Sequence, residues 1–581
     1  MKPQIRHRLH VSILSAAAAV IGIASQCPGA DRSWANAGSP PNRWNVPANW
    51  SSQIPAAGDR AIINAGGGGT IQLATNGAYT ANVGTIQIDR GNWFNGNTDG
   101  YYTLNASNSG SNTSTLAFSS SATGGIDIQQ FRAGTFETGT GFFIGAGRFS
   151  TGTLLAPTSR ELVIRTAQNQ GLGLYATLSG TGSITLQTIA TGQGTLVLGD
   201  LLLGYGRGAG EGTNVFSAAN TFSGGVRVQK ARLNLTEDSI FSGATMLNSP
   251  AGLGTITFEA GSGTITANAA LTGFDDRTSN LGSNPTRIIG NTIQFNADVD
   301  VTGAWAIDAR GPVTFDQGSA RTLNTFPSGT GGTVKLGGTV TLGSGKSAFT
   351  LTKGGAGTLL FNDVPINTTS TDANMVVSAG TAQFGVGTGS TRTFAGAINS
   401  GTSSSLTGNV LKTGAGTFEA KHVRNSTFTI NQGVAIITAT SGGSGTLDVV
   451  GDNAGVSRTG SLTIASGAAL DLKNNDLVVD YTSTSPIGNA GTSSSGIAGL
   501  IKTGFASGSW NGAGIRSSTA AGGATSLYAL GYGEASNVLD VSSGTATFGG
   551  QVVDSTTVVV GFTYAGDADI NGKVDLDDFT R

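Results

Sequence analysis

The residues best suited to chemistry lie together in the stretch GDADINGKVDLDDFTR, residues 566–581. Counted from Asp567, oxygen donors fall at positions 1, 3, 5, 7, 9 and 12, and a glycine falls at position 6. Ca²⁺ takes about six to eight oxygen ligands, and a loop with this spacing supplies them while the glycine makes its sharp turn. The spacing therefore predicts a calcium site formed by Asp567, Asp569, Asn571, the Lys573 carbonyl, Asp575 and Asp578. The alternative is a solvated acidic tail.

This loop is similar to EF-hand loops, but Asp578 stands where EF-hands carry glutamate. Dockerin modules carry aspartate there, so the segment resembles a dockerin repeat, which implies calcium-dependent docking and a cohesin-like protein partner. Dockerins usually meet cohesin through small hydroxyl residues, where this chain has Leu576 and Asp577. Dockerins also have two loops, each followed by a helix. Only residues 579–581 follow this one, so we expect a truncated loop that is frayed and binds calcium weakly.

The rest of the chain repeats a texture of short strands. Runs such as GTIQID (84–89), GTITFEA (254–260) and GTVKLGGTVTLG (332–343) alternate apolar and polar residues between Gly, Asn or Ser punctuation. Only 11% of the residues are charged and 38% are hydrophobic, which argues against a disordered chain. The best helix candidate is SGIAGLIKTGFAS (495–507). These patterns predict an all-β protein with little helix.

Internal repetition favours a solenoid over a sandwich or a barrel. KGGAGTL (353–359) recurs as KTGAGTF (412–418), and AGTAQFG (379–385) recurs as SGTATFG (543–549). The strand texture is too long for a single sandwich, and no linkers divide it into several. In stacked rungs, like residues align in ladders at the strand spacing of about 4.8 Å. We therefore predict a right-handed parallel β-helix with a short, truncated dockerin-like calcium-loop tail.

One stretch resembles a known repeat family. GQGTLVL (192–198), ANTFSGGVRV (219–228) and the leucines of 233–235 resemble the autotransporter-associated β-strand repeat, with Phe222 in place of the usual tyrosine and Ala231 in place of a glycine. The copies that begin at Lys353 and Lys412 keep only the glycine-rich start. The resemblance implies a β-solenoid over 190–440.

Both ends of the predicted solenoid resemble blocks of large secreted bacterial proteins. Trp34, Trp44 and Trp50 belong to a W…W…NW…P…GD opening, which we interpret as a cap over the first rung. Sugar stacking by the tryptophans is the alternative. NNDLVVDYT (474–482), SWNGAGIRSS (509–518) and ALGYGEAS (529–536) resemble a C-terminal block of planctomycete-type secreted proteins, in which a calcium-loop segment follows.

The N-terminus has the pattern of a secretory signal peptide. Lys2, Arg6 and Arg8 precede the apolar run VSILSAAAAVIGIA (11–24), which is too short to span a bilayer and leads into small residues. We expect cleavage before residue 31, a secreted or cell-surface protein, and no transmembrane segment afterwards; a retained anchor is the alternative. Removal of these three of the 32 basic residues leaves 29 against 34 acidic ones, a net charge of −5. That balance offers no footprint for nucleic acid.

Candidate catalytic groups are scarce. Cys27, His7 and His10 leave with the signal, so His422 is the single remaining histidine, and we expect it at the surface. A zinc site of His and Cys is thereby excluded, and Cys–His catalysis is disfavoured. NTDG (97–100) and DD (275–276) resemble pectinase aspartates but lie about 175 residues apart, whereas a hydrolase needs its carboxylates about 5–10 Å apart. We therefore predict no enzyme activity.

These observations divide the chain into five segments: a signal peptide (1–30), a Trp-rich cap (31–65), a β-solenoid (66–473), a C-terminal block (474–562) and a calcium loop (563–581). We predict a non-catalytic adhesion or surface-structure protein that contacts polysaccharide or another cell-surface component. The alternative is a polysaccharide lyase or hydrolase, or a dockerin-bearing component of a polysaccharide-degrading assembly. An Asp/Lys/Arg cluster on one solenoid face would favour that alternative, and a face of Ser, Thr and Asn would favour adhesion.

Overall fold

The computed structural model describes the chain from residue 30 onwards, with gaps. The described residues are 30–35, 43–56, 58–63, 69–72, 80–83, 85–89, 102–105, 115–118, 126–131, 141–144, 148–150, 161–167, 171–174, 177–179, 181–189, 200–203, 220–235, 238–260, 269–273, 286–302, 306–326, 332–368, 372–399, 405–438, 455–521 and 527–580. The predicted signal peptide lies outside them, apart from Ala30, and so does the repeat segment 192–198.

Three long sheets together extend from residue 31 to residue 564 of the described chain. Sheet I has twelve strands, in spatial order Asp31–Ser33, Arg60–Ile63, Thr85–Asp89, Ile126–Phe131, Glu161–Ala167, Ser183–Ile189, Val226–Gln229, Ile256–Glu259, Ile293–Phe295, Val313–Phe315, Val340–Leu342 and Ile366–Thr368. Sheet II has eleven: Gly69–Gln72, Tyr102–Asn105, Gly141–Ile144, Gly171–Leu174, Asp200–Leu203, Arg232–Leu235, Ala269–Gly273, Val299–Thr302, Ala320–Thr325, Ala348–Gly354 and Asp372–Val377. Sheet III has eleven: Thr286–Ile289, Ala306–Ala309, Thr333–Leu336, Thr358–Asn362, Thr381–Gly385, Asn409–Thr413, Arg424–Ile430, Ser457–Ile464, Leu477–Asp480, Thr557–Tyr564 and Tyr528–Glu534.

Smaller sheets complete the stack. A four-stranded sheet near the N-terminus contains Thr177–Ser179, Arg148–Ser150, Thr115–Phe118 and Thr80–Val83. A five-stranded sheet contains Thr391–Phe394, Thr417–Ala420, Val434–Ile437, Ala469–Asp471 and Gly514–Arg516. Two hairpins, Ile240–Ser242 with Thr245–Asn248 and Ala546–Phe548 with Gln551–Val553, are antiparallel. The helices are α1 (Gly496–Phe505), α2 (Ser518–Ala521) and α3 (Ala535–Val538), with 3₁₀ turns at Pro47–Asn49 and Ala506–Gly508.

The chain visits the sheets in rotation. Ile293–Phe295 on sheet I is followed by Val299–Thr302 on sheet II and Ala306–Ala309 on sheet III, after which Val313–Phe315 returns to sheet I beside the starting strand. Each strand therefore pairs in parallel with the strand one turn later. The prediction of an all-β chain of stacked parallel strands, with a solenoid-like fold, is confirmed. The predicted helix is α1, in the expected segment.

Like residues stack inside the coil because the pairing is in register. Phe258, Phe295 and Phe315 pair along sheet I, with ring centroids 5.3 and 4.8 Å apart and nearly parallel planes. All three side chains are buried. Buried aromatic stacks add roughly 0.5–1.5 kcal/mol per pair to the area term, so they fix the register from the inside.

The parallel stack ends in an antiparallel cover. Leu477–Asp480, the last strand that pairs in parallel within sheet III, pairs antiparallel with Thr557–Tyr564, which in turn pairs antiparallel with Tyr528–Glu534. A final rung without such a cover would present a row of unpaired N–H and C=O groups. Among the described residues, no helix is long and apolar enough to span a membrane.

At the N-terminal end, the tryptophans of the predicted cap pack on one another. The ring of Trp50 meets those of Trp34 and Trp44 edge-on at 4.9 and 4.7 Å, and its indole N–H donates to the Trp44 carbonyl at 2.8 Å. All three are 4% exposed or less. These indoles present no open face on which a sugar ring could stack.

Two lysines lie inside the apolar columns. Lys353 pairs in register between Leu323 and Val377, and its side chain is fully buried. Lys412 takes the equivalent inward position on sheet III and is also fully buried. They are the lysines of the recurring KGGAGTL and KTGAGTF segments.

Each buried ammonium closes a corner of the coil. Lys353 Nζ donates to the carbonyls of Gly354, Gly355 and Ala379 at 2.9, 2.7 and 3.0 Å, and the last of these lies on the next rung. Lys412 repeats this pattern at its own corner, at 2.6–3.1 Å. Gly355 has φ +70°, and a Cβ there would lie 2.3 Å from the Thr325 carbonyl oxygen, so the corner requires glycine.

We expect Lys353→Met and Lys412→Met each to lower the free energy of unfolding by about 1–3 kcal/mol, because each leaves three corner carbonyls without a donor. The urea midpoint measures this. Lys346→Met is the matched control, since Lys346 is exposed. Equal midpoints for the buried and the exposed substitutions would contradict the corner-closing role.

Burial lowers the pKa of Lys353 and of Lys412 from 10.5 to about 8. Between these values the unfolded chain keeps a proton that the folded chain has released, so stability rises with pH. The gap in urea midpoint between the wild type and Lys412→Met should therefore widen between about pH 7.5 and about pH 10. If the difference in urea midpoint narrowed instead, the hydrogen bonds to the carbonyls would outweigh the effect of burial and raise the pKa of Lys412.

Candidate functional site

The structure brings together three of the predicted calcium ligands. Carboxylate oxygens of Asp567, Asp569 and Asp578 lie within 4.8 Å of one another, in the one such group of acidic, His or Cys side chains among the described residues. Asp567 is 5% exposed and Asp578 is 9% exposed. Three carboxylates at this separation repel one another unless a proton or a cation neutralises them, and carboxylate oxygen is the donor that Ca²⁺ and Mg²⁺ prefer.

Backbone N–H groups hold these carboxylates in place. Asp567 accepts from the N–H of Asn571 at 3.1 Å and of Gly572 at 2.8 Å. Asp578 reaches back across the loop and accepts from Ala568 and from Asp575, both at 2.7 Å. The first and last predicted ligands thus close the loop into a ring with its carboxylates inside.

The electrostatics of the cluster favour the binding of a cation. The pKa of Asp569 is raised, first because the group is desolvated, and further by its hydrogen bond with Asp567 and the charge of Asp578, while bonds from Asn571 act the other way. A divalent cation among the three carboxylates would remove this repulsion. The donors present therefore fit a hard cation, and Asp567, Asp569 and Asp578 would hold it.

Of the other predicted ligands, Asn571 bonds to a carboxylate of this cluster and Asp575 lies outside it. Asn571 donates through its amide to Asp569 at 3.0 Å, while its side-chain oxygen accepts from the Lys573 N–H at 2.9 Å. The exposed Asp575 accepts from the N–H of Asp577 at 3.0 Å. After the loop the chain makes one turn, with Phe579 and Thr580 donating to the carbonyls of Leu576 and Asp577.

The loop is anchored on the covering sheet. Ile570 packs against the apolar cluster that contains Phe548 and Val559. Gly531 and Gly561 make room for it, since a Cβ at Gly561 would lie 2.4 Å from the Ile570 side chain. The Thr563 hydroxyl on the last strand also donates to Asp567. The acidic cluster therefore shares packing and a hydrogen bond with the end of the solenoid.

A second group of charges lies on sheet III. Asp308 Oδ2 accepts from Arg310 Nε at 3.1 Å and from Lys335 Nζ at 3.4 Å. The Asp308 side chain is 5% exposed, and those of Arg310 and Lys335 are 47% and 35% exposed. The Arg310 guanidinium also lies 5.7 Å from the ring centroid of Phe241 on the projecting hairpin. This is the Asp/Lys/Arg arrangement that would favour the enzyme alternative. No local pattern predicts it, since Asp308 and Lys335 are 27 positions apart.

The same sheet also carries an uncharged polar column. In-register pairing aligns small outward side chains over six successive rungs, and we term this set the hydroxyl–amide column: Thr333, Thr358, Thr381, Asn409, Thr427 and Ser461. These side chains are half-buried, or exposed at Ser461. The column is the face of Ser, Thr and Asn that would favour adhesion.

His422 differs from its predicted place. We expected a surface residue, but His422 is 6% exposed. The reason is that its stretch forms part of a rung: the His422 carbonyl accepts from Ile398 at 3.1 Å, and Val423 next to it is in the core. The aspartates of 97–100 and 275–276 lie outside the described residues.

Comparisons of the chain with protein-family models, curated proteins and solved structures returned no match. The resemblances to the autotransporter-associated repeat and to dockerin therefore stay predictions.

We expect Ile570→Ala to loosen the loop, because it removes the side chain that seats the loop on Gly531 and Gly561. Hydrogen exchange in 566–580 should accelerate, while exchange in the core strand Asn409–Thr413 should not. Leu576→Ala is the control, since Leu576 is 81% exposed. Equal exchange in both variants would show that Ile570 does not anchor the loop.

Proposed function

We propose that this chain is a non-catalytic, secreted or cell-surface protein, coiled as a right-handed parallel β-helix, that contacts polysaccharide and carries a calcium-dependent docking loop. The hydroxyl–amide column is the observation that carries the proposal. It repeats donors and acceptors at the strand spacing, about 4.8 Å, without a charged group. A regular array of this kind suits many weak hydrogen bonds to an extended, hydroxyl-rich polymer.

The predicted export of the chain supports the proposal of a polysaccharide partner. The basic and apolar leader predicts passage through a membrane and removal of the signal, which puts the solenoid outside the cell. The small number of charges leaves little long-range attraction for nucleic acid. Shape and hydrogen bonding, rather than net charge, would select the partner.

Calcium is proposed as the ion of the terminal loop. The predicted ligand spacing and the converged carboxylates of Asp567, Asp569 and Asp578 both support it. A loop that is rigid when loaded would present the exposed Leu576 and Phe579 to a protein partner of the cohesin type. Because Asp567 is bonded to Thr563, ion binding would also stabilise the last strand.

Calorimetry of the full chain tests the loop. We expect saturable Ca²⁺ binding that is lost in the Asp567→Ala/Asp578→Ala double variant, which removes two of the three converging carboxylates. Asp577→Ala should bind as the wild type does, because Asp577 is exposed and stands outside the cluster. Failure of the wild type to bind at millimolar Ca²⁺ would remove the calcium part of the proposal.

Sedimentation with insoluble polysaccharide tests the column. We expect Thr358→Lys/Thr381→Lys to weaken retention on cellulose or chitin particles several-fold, because two bulky charges then interrupt the array. Thr314→Lys/Thr341→Lys places the same charges on sheet I and is the matched control. Equal retention of both double variants, or no retention of the wild type, would contradict a binding role for this column.

The cluster at Asp308 favours a second candidate, a polysaccharide lyase. Asp308 is held beneath two cations and cannot reach a substrate, so Lys335 would be the base and Arg310 would neutralise the substrate carboxylate. Incubation with polygalacturonate, followed by the ultraviolet absorbance of an unsaturated product, tests this. Activity that disappears in Lys335→Met would establish the lyase and displace the non-catalytic proposal.

A further inference from the structure

A cavity of about 820 Å³ opens between α1 and the strand Tyr528–Glu534. Its floor is apolar and consists of the buried side chains of Ile501, Trp510 and Leu530. Its more exposed lining residues, which we term the rim, are Lys502, Phe505, Ser507 and the half-buried Tyr532. This volume lies in the range of about 300–1,000 Å³ that small-molecule sites occupy.

The walls of the cavity are closely packed. Helix α1 approaches the strand Gly514–Arg516 backbone to backbone: a Cβ at Gly504 would lie 1.9 Å from the Ile515 carbonyl oxygen, and one at Gly512 would lie 2.0 Å from that of Thr503. Lys502 Nζ donates to the Gly491 carbonyl at 2.8 Å and holds the preceding segment over the helix. A preformed cavity of this kind costs little ordering free energy on binding.

The rim combines an aromatic face with a cation. The ring of Phe505 is 42% exposed and is supported edge-on by Trp510, with centroids 5.0 Å apart. Lys502 is exposed and uses one of its three N–H groups on Gly491, so two remain to donate. None of the described lining residues is acidic, so Lys502 sets the charge of the site.

These features select a ligand with an apolar face, hydroxyl groups and one negative charge. A pyranose ring has an apolar C–H face that can stack on Phe505, and its hydroxyls can bond to Tyr532 and Ser507 at the rim. A carboxylate on that ring would pair with Lys502. An alkyl carboxylate fits less well, because the wide opening lined by exposed side chains would leave its chain in water.

We propose that the cavity beside α1 binds a hexuronate residue of an acidic polysaccharide. This assignment rests on the proposed polysaccharide contact and deepens it. The solenoid column would provide many weak contacts along a polymer, and the cavity would select an acidic residue at one end of the solenoid.

Calorimetric titration of the full chain with tetragalacturonate, and with cellotetraose as the neutral analogue, tests the assignment. We expect Lys502→Gln to weaken tetragalacturonate binding about tenfold or more, since a charge-assisted contact is lost, and to weaken cellotetraose binding by a much smaller factor. Phe505→Ala should weaken both oligosaccharides, because both use the ring. Lys346→Gln, an exposed lysine on a solenoid turn, should change neither.

Each remaining outcome identifies what fails. Wild-type retention on cellulose or chitin particles without tetragalacturonate binding would overturn the cavity assignment and leave the column proposal standing. Binding that is equal in the wild type, Lys502→Gln and Phe505→Ala would place the oligosaccharide elsewhere and overturn it as well. Tighter binding of dodecanoate than of tetragalacturonate would make the cavity an acyl-chain site. If the wild type neither sediments with the particles nor binds either oligosaccharide, the cavity assignment and the proposed function are both overturned.

Discussion

In-register parallel pairing between successive turns is the constraint on which the rest of this structure depends. Within each sheet of the described residues, an interior strand of the coil hydrogen-bonds to the strand one turn before and to the strand one turn after, so a side chain that points inward on one rung stacks on its counterparts. Buried phenylalanines satisfy this by stacking face to face. The same register aligns the outward side chains, so single Thr, Asn or Ser residues of successive rungs form the hydroxyl–amide column.

Corners and ends are where such pairing cannot satisfy the backbone. At the corners after Lys353 and Lys412, the carbonyls turn towards the interior and accept from a buried ammonium. A buried charge is costly by itself, but three carbonyl acceptors per ammonium offset part of that cost and join adjacent rungs. At the C-terminal end the strand Thr557–Tyr564 reverses direction and covers the last parallel strand.

Local periodicity is enough to predict the strands, because the alternation in GTIQID or TVKL is set by the two faces of a strand, and the two copies of KGGAGTL form equivalent corners. The likeness of AGTAQFG to SGTATFG does not indicate equivalent rungs, since Thr381–Gly385 is a parallel strand and Ala546–Phe548 lies in an antiparallel hairpin. Periodicity could not predict the burial of His422, because a short irregular segment has no alternating pattern. Only its pairing with the rungs on either side shows that this segment belongs to the core. The Asp308 cluster and the cavity at α1 escaped for the same reason. Both combine residues from different turns. The register that brings those residues together cannot be inferred from the sequence of one strand. Spacing alone identifies Asp567, Asp569 and Asp578, whose carboxylates converge, whereas the attachment of this acidic loop through Ile570 depends on glycines in two distant strands.

The acidic loop and the cavity beside α1, the two sites proposed for the C-terminal end, meet on the covering sheet. The strand Tyr528–Glu534 lines the cavity with Leu530 and Tyr532, and between those two residues Gly531 makes room for Ile570 of the acidic loop. Strand Thr557–Tyr564 pairs with it along its whole length and ends at the loop, where Thr563 bonds to Asp567. An ion that fixes Asp567 therefore acts on the strand that forms one cavity wall, through a single layer of hydrogen-bonded backbone. In a stack whose rungs contact only their neighbours, stability is a sum of local terms, so an ion bound at this end can tighten the covering sheet and its cavity while the distant rungs remain unaffected.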